Sequence, residues 1–363
     1  MRNVHVDLGS KSYDIEIERG LLHQVGSKIK KLLPKAEKIA IITDSHVGPL
    51  YALQLHESLE KEGFAVSILS FTAGEESKNL QTLGALYNGL AKAGLTRSDA
   101  VITLGGGVTG DMGGLAAATF LRGVAFIQIP TSLLATVDSS VGGKVAIDLP
   151  GGKNLVGAFY QPKAVYIDPN VLKTLPVRYL HDGLAEVIKY GCIMDKDLFM
   201  KLEKIQSDAE LRARADEIIE TCCNIKARIV EHDEFDTGER MLLNFGHTLG
   251  HAVEKTFRFD KYSHGEGVGI GMVLLTRRSE TLGLTASGTA DRIAALLKKF
   301  QLPVTVDMRQ EDFLQAVALD KKKRGSHLTL ILLKNIGESF LQKVEFSELP
   351  QYLPKAGFRW PKS

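Results

Sequence analysis

The sequence predicts an α/β N-terminal domain, with a mostly parallel sheet of the dinucleotide-binding kind, followed by a mainly α-helical domain. Three observations carry that prediction. Short apolar runs alternate with helix-period segments through the first 175 residues; after Leu175-Pro176 apolar residues recur at three- and four-residue intervals over long stretches; and 12 of the 35 glycines fall within the 53 residues 105–157. Strands alternating with 10–15-residue helices indicate a parallel sheet covered by helices. A chain of 363 residues is long enough for about two domains, and the boundary is placed between residues 1–175 and 176–363.

In chain order, Val4/Val6/Leu8 and Tyr13/Ile15/Ile17 alternate with polar residues, which suggests an antiparallel hairpin. Runs at 38–43 (KIAIIT), 65–71 (AVSILSF), 100–104 (AVITL) and 124–129 (VAFIQI) are the parallel strands. Helical periodicity fills 49–62 and 80–93 between them and 112–120 after a glycine-rich turn. In the second half, 211–231, 240–257 and 265–282 read as helices, with β-like runs at 304–306 and 328–333 that suit a small sheet.

Charge and composition narrow the partners. Lys plus Arg total 45 against 43 Asp plus Glu, a net charge of +2, so neither a nucleic-acid groove nor a membrane-attracting face is indicated. A small molecule is the expected partner. No apolar run approaches the ~20 residues of a spanning helix, and the N-terminus lacks the unbroken apolar core of a signal peptide. Cys192, Cys222 and Cys223 show neither ligand spacing nor a disulfide pattern, which points to a reducing cytoplasm.

Five groups of residues carry chemistry. Gly105-Gly106-Gly107-Val108-Thr109-Gly110 is a G-x-G-x-x-G turn after a strand and before a helix, where backbone N–H groups can approach a pyrophosphate. It follows a later strand than the usual fingerprint does, and no acid ends the next strand; Asp44 either fills the ribose role or caps the following helix. Glu186 and Lys189 lie one helical turn apart and form either a surface ion pair or part of a site. His247 and His251, at i,i+4, share a helix face, and His264 opens another glycine-rich apolar helix. Three of the ten histidines within 18 residues suggest a divalent metal bound by imidazoles, with Glu186 as the attractive carboxylate. Finally, Lys144 after Gly142-Gly143, and Lys153-Asn154 after Gly151-Gly152, either form solvated loops or hold a phosphate; neither completes a Walker A sequence. Arg122 and Arg240 are further cations suited to an anionic ligand.

Together these segments resemble the 3-dehydroquinate synthase family over nearly the whole chain. The resemblance rests on AGEESK, GGGVTGDMGG, PTSLLATVDSSVGGK, GKNLVGAF, GLAEVIKYG, LNFGHTLGHAVE and SHGEGVGIGM in that order. It implies an NAD-binding domain, a helical metal- and substrate-binding domain, a cleft between them, and a zinc or cobalt ion held by Glu186, His247 and His264. It implies NAD contacts from Asp44, Glu75, Lys78, Gly106, Gly107, Val108, Asp111, Thr131, Ser132 and Lys153, with Val171 and Thr174 nearby. Substrate contacts are implied for Asp138, Lys144, Asn154, Glu186, Lys189, Lys226, Arg240, Asn244, His251 and, from the run 320–323, Lys322. Of these, Lys144, Lys189, Arg240, Asn244 and His251 are expected to carry catalysis. Arg122 is expected to reach the neighbouring subunit of a homodimer. Ser132 stands where a second threonine is common, and Asp236 where Glu is common, so a proton-acceptor role there rests on a shorter side chain.

The implied substrate is an acidic keto-sugar phosphate, 3-deoxy-D-arabino-heptulosonate 7-phosphate. Transient oxidation, phosphate β-elimination, re-reduction, ring opening and aldol closure give 3-dehydroquinate and phosphate. The alternatives are another sugar-phosphate cyclase, of the 2-deoxy-scyllo-inosose or valiolone type, and a metal-dependent polyol dehydrogenase. The paired glycine-lysine segments argue against the dehydrogenase, since a plain alcohol has no phosphate to hold. A catalytically dead binding protein would have lost the metal triad, and all three residues are present.

Overall fold

The computed structural model describes residues 1–257, 261–324 and 327–353, with the backbone alone for 318–324. Its elements in chain order are β1 (Arg2–Val6), β2 (Tyr13–Ile17), α1 (Val25–Leu32), β3 (Lys38–Asp44), α2 (Gly48–Glu60), β4 (Ala65–Phe71), α3 (Leu80–Lys92), β5 (Ala100–Gly105) and α4 (Gly107–Thr119). There follow β6 (Ala125–Pro130), β7 (Lys144–Leu149), β8 (Gly152–Phe159), β9 (Ala164–Ile167), α5 (Val177–Ile193), α6 (Lys196–Lys204), α7 (Asp208–Ala213) and α8 (Ala215–His232). The chain continues with α9 (His247–Thr256), α10 (His264–Thr281), α11 (Thr289–Lys299), α12 (Gln310–Arg324), β10 (His327–Asn335) and β11 (Glu338–Glu345).

The chain packs as two compact units. The first comprises Met1–Pro176 with Arg212–Phe235, and the second Val177–Leu211 with the residues from Asp236 onward. The first contains a seven-stranded sheet in the order β1-β2-β9-β6-β5-β3-β4, parallel except for the β1–β2 hairpin. Its central strands are buried on both faces, as a helix-covered parallel sheet requires. Along β3, Ile39 and Ile41 join a core with Leu55 and Leu59 of α2, while Ala40 and Ile42 face Leu86, Met112 and Leu115 of α3 and α4. The period of two thus serves two helix layers.

Several features depart from the sequence reading. The segment 144–159 forms an antiparallel hairpin, β7 with β8, rather than loops. Strand β9 inserts between β2 and β6. Helix α4 begins at Gly107, so the glycine turn is the helix's own first turn. Helix α8 belongs to the first unit although it follows residue 175, because Ile218, Ile219, Cys222 and Ile225 give it a buried apolar face and it packs against β1. Val304-Thr305-Val306 pairs with no strand among the described residues.

In the second unit α9 and α10 pack closely, and the β10–β11 hairpin adds Leu328, Leu330, Leu332 and Val344 to a core with Leu249, Val253, Ile270 and Leu274. Backbone contact between the two helices depends on missing side chains. A Cβ on Gly271 would stand 2.0 Å from the Gly246 carbonyl oxygen, and one on Gly250 would stand 2.9 Å from the carbonyl carbon of Gly267. Among the described residues no helix is long and apolar enough to cross a membrane.

Candidate functional site

In the second unit, α5, α9 and α10 each deliver one donor to a single point. Glu186 and Lys189 sit on α5, at 0% and 1% exposure, and the two form an ion pair. The surface-pair reading of this segment therefore fails: the helix buries both. Gly246, at φ 79°, turns the chain so that α9 starts on His247. A capping box, with Glu266 Oε2 accepting the Ser263 N–H at 2.8 Å, starts α10 on His264.

His247 Nε2 lies 3.5 Å and His264 Nε2 3.3 Å from Glu186 Oε1, and ligand atoms of the three residues all lie within 4.8 Å of one another. Bonds of ~2.0–2.1 Å to a tetrahedral ion place donor atoms ~3.3–3.4 Å apart, so the trio fits a divalent metal with a position left open. The outer ring nitrogens are also engaged. His247 Nδ1 is 3.1 Å from the Phe245 carbonyl oxygen, and His264 Nδ1 is 3.3 Å from Glu254 Oε1. Both Nε2 atoms therefore face the carboxylate.

Electrostatics sharpen the arrangement. Burial pushes the His247 imidazole down to about 3, against the pull of Glu186, so it is neutral and able to donate a lone pair. Burial also works against charge on His264, but hydrogen bonds to Glu186 and Glu254 prevail and lift it to about 10. Asp182, one turn before Glu186, accepts the Gly265 N–H at 2.6 Å and so ties α5 to the start of α10; burial raises its own pKa.

Around this centre, Arg240 is buried (2% exposed) on the turn Glu239–Asn244 that also carries Asn244. The ring of His251 lies 5.4 Å from that of His247, with its side chain 61% exposed. Lys322 lies on α12, and its side chain is outside the described residues. Asp236, at φ 60°, precedes that turn.

The first unit holds the remaining expected residues. Asp44 ends β3; its Oδ1 accepts the His46 and Val47 N–H groups at 2.9 and 3.0 Å, and its Oδ2 accepts the Thr109 hydroxyl at 3.0 Å. These bonds close the turn ahead of α2 without capping the helix, whose N-cap is Val47 with no side-chain cap, and Thr109 joins Asp44 to the glycine-rich turn. There Gly106 precedes α4, and the N–H groups of Gly107 and Val108 come before the helix's first closing bond, from Gly110 to Gly106. Thr131 N–H donates to Gly105 O, and Ser132 Oγ accepts from Ala135 N–H, beside the same turn.

Lys78 Nζ reaches Asp111 Oδ2 and Asn154 Oδ1, each at 2.6 Å, and Lys153 pairs with Glu75 at 3.3 Å. Burial pushes the Asp111 carboxyl up to about 6 although Lys78 opposes it. Lys226 Nζ binds Asp138 Oδ1 at 2.5 Å. Gly142 and Gly143, at φ 92° and 69°, lead into Lys144, which is exposed at the start of β7. Val171 O and the Thr174 hydroxyl both meet the Tyr51 hydroxyl. Leu121 and Arg122, at φ 52° and 68°, stand exposed after α4.

Two carboxylates escaped the sequence reading, the buried Glu254 and the partly buried Asp182. Both carried a signal: Glu254 is seven residues from His247 on one helix face, and Asp182 is four before Glu186.

The family model for the 3-dehydroquinate synthase N-terminal region matches residues 68–182, and that for the 3-dehydroquinate synthase C-terminal region matches 183–323. A 3-dehydroquinate synthase of Clostridium acetobutylicum is 51% identical over 354 residues, covering 97% of this chain and 99% of its own length. Among solved structures, 2-deoxy-scyllo-inosose synthase complexed with carbaglucose-6-phosphate, NAD+ and Co2+ superimposes with TM-score 0.84 at 25% identity, covering 96% of this chain and 98% of that one. A 2-epi-5-epi-valiolone synthase from Streptomyces hygroscopicus with NAD+ and Zn2+ gives 0.83 at 26% identity, covering 94% and 95%.

Proposed function

The chain belongs to the 3-dehydroquinate synthase family, and from that membership we propose how its residues share the family's reaction. The activity is that of a lyase, converting 3-deoxy-D-arabino-heptulosonate 7-phosphate to 3-dehydroquinate and phosphate. The observation that carries the reading is the spacing of His247 Nε2 and His264 Nε2, 3.5 and 3.3 Å from one oxygen of the buried Glu186.

These three residues would hold one divalent ion, zinc or cobalt. When bound, NAD supplies a reversible hydride acceptor and the ion a Lewis acid for a carbinol oxygen. Lys189 keeps an ammonium beside that carboxylate at 1% exposure, where a charge holds an anionic substrate oxygen more strongly than it would in water. Arg240, with Asn244 on the same turn, suits the planar substrate carboxylate. His251, exposed and adjacent to His247, holds or passes a proton at the phosphate end.

In the first unit, the exposed Lys144 offers a point charge for phosphate, and Lys226 with Asp138, and Asn154, orient polar groups of the substrate. Gly106, Gly107 and Val108 offer backbone N–H groups to the NAD pyrophosphate. Asp44, Glu75, Lys78, Asp111, Thr131, Ser132 and Lys153 hold the rest of the cofactor, with Val171 and Thr174 beside it. Lys322 completes the substrate set. Arg122, on its exposed left-handed turn, serves a neighbouring copy in a homodimer. Three buried free cysteines suit a reducing cytoplasm.

Offering the purified protein the heptulosonate phosphate, glucose 6-phosphate and sedoheptulose 7-phosphate in parallel tests the substrate assignment. Phosphate release from the first alone is expected. Preferential turnover of glucose 6-phosphate or sedoheptulose 7-phosphate would make this chain one of the other cyclases.

A further inference from the structure

Glu254 is a buried carboxylate, 4% exposed, on α9, and the reaction as described gives it no task. It shares a helix face with His247, and its Oε1 lies 3.3 Å from Nδ1 of His264, a residue of the next helix. Room for it is built into α10. A Cβ on Gly267 would come within 3.3 Å of Glu254 Cγ.

A neutral imidazole has one proton for two nitrogens, and whichever nitrogen donates it leaves the other as the ligand. His247 donates to a backbone carbonyl, that of Phe245, at 3.1 Å. His264 instead meets a carboxylate, while its Nε2 lies 3.3 Å from Glu186 Oε1. A carboxylate does more than orient a ring: its charge makes the imidazole a stronger donor.

We propose that Glu254 is a positioning residue of the metal centre, holding the proton of His264 on Nδ1 so that Nε2 faces the ion. This rests on the assignment of Glu186, His247 and His264 as ligands. Ligand atoms of His251, Glu254 and His264 also lie within 4.8 Å of one another. A second ion there would have to bind the same Nδ1, so that arrangement and the present one exclude each other.

The test measures metal binding on the full chain, by competition with a chromophoric chelator and by the visible absorption of the cobalt form. Wild type should bind one ion per chain. Glu254→Gln, which keeps an acceptor but loses the charge, should bind about 10- to 100-fold more weakly with a shifted cobalt spectrum. Glu254→Met, which removes the acceptor, should bind more weakly still; if it does not fold, the near-isosteric Gln variant decides alone. Affinity and spectrum unchanged in the Gln variant would overturn the proposal, as would a lowered melting temperature with unchanged affinity. Two ions per chain would also overturn it. His247→Ala separates the two levels: if that variant too binds metal like wild type, the ligand assignment itself is wrong.

Discussion

Glu186 and Lys189 form an ion pair one turn apart on α5, buried to 0% and 1% exposure, and the same carboxylate is the meeting point of two histidines. Removing one member of a buried pair leaves an uncompensated charge, at about 3–5 kcal/mol. Glu186→Gln should therefore destabilise the metal-free protein by about that amount in urea unfolding, besides weakening metal binding. Lys189→Met should retain the metal, since the ion replaces the lost positive charge. Its turnover should fall by about 10²- to 10³-fold. A Lys189→Met enzyme with near-normal turnover would remove Lys189 from the chemistry.

Gly271 sets the distance between the helices that carry His247 and His264. Gly271→Ala places a methyl 2.0 Å from the Gly246 oxygen, so α9 and α10 must separate. Overpacking of this kind costs about 1–3 kcal/mol, and because Gly246 directly precedes His247, metal affinity should fall with stability. Denaturant unfolding and chelator competition measure the two effects; a stable variant with intact metal affinity would mean that the helix contact does not govern the site.

Thorough chelation should abolish phosphate release, and adding back zinc or cobalt should restore it. Turnover that survives complete metal removal would separate Glu186, His247 and His264 from catalysis.

Asp99 supplies a pH-dependent contribution to the first unit. Burial works against its charge, but bonds from the N–H groups of Lys38, Thr96 and Glu37 and from the Thr96 hydroxyl prevail and hold its pKa below 3.8. A carboxylate depressed in the folded state stabilises above its unfolded pKa, and that contribution is lost as pH falls through the folded value. Asp99→Asn should thus cost about 1–3 kcal/mol near neutrality, and the difference from wild type should shrink below pH 3.8. An effect independent of pH would contradict the assignment.

The architecture was legible where burial and periodicity coincide. Ile39 to Ile42 and Ala100 to Leu104 read as buried strands because parallel strands between helix layers are apolar on both faces. The β7–β8 hairpin was not, because β8 is almost wholly exposed and leaves no inward alternation to read. Val304 to Val306 has strand composition without a partner strand, and pairing is not a local property. Helix α8 has a clear apolar face, but nothing local shows that β1, some 200 residues earlier in the chain, covers it.

At the site, spacing revealed which residues share a helix face, whereas burial stayed hidden. Glu186 and Lys189 look like surface residues by type and become interior only when α5 is enclosed. Glu254 and Asp182 act across to α10, so their partners are set by helix packing rather than by sequence distance.

The central claim is a reaction that is redox-neutral overall, and simultaneous recording of phosphate and of NADH absorbance tests it most directly. With the heptulosonate phosphate and NAD in substoichiometric amount, phosphate and 3-dehydroquinate should form in equal quantity over many turnovers while NADH stays flat. Steady NADH accumulation that stops when NAD is exhausted would contradict the account and identify a dehydrogenase.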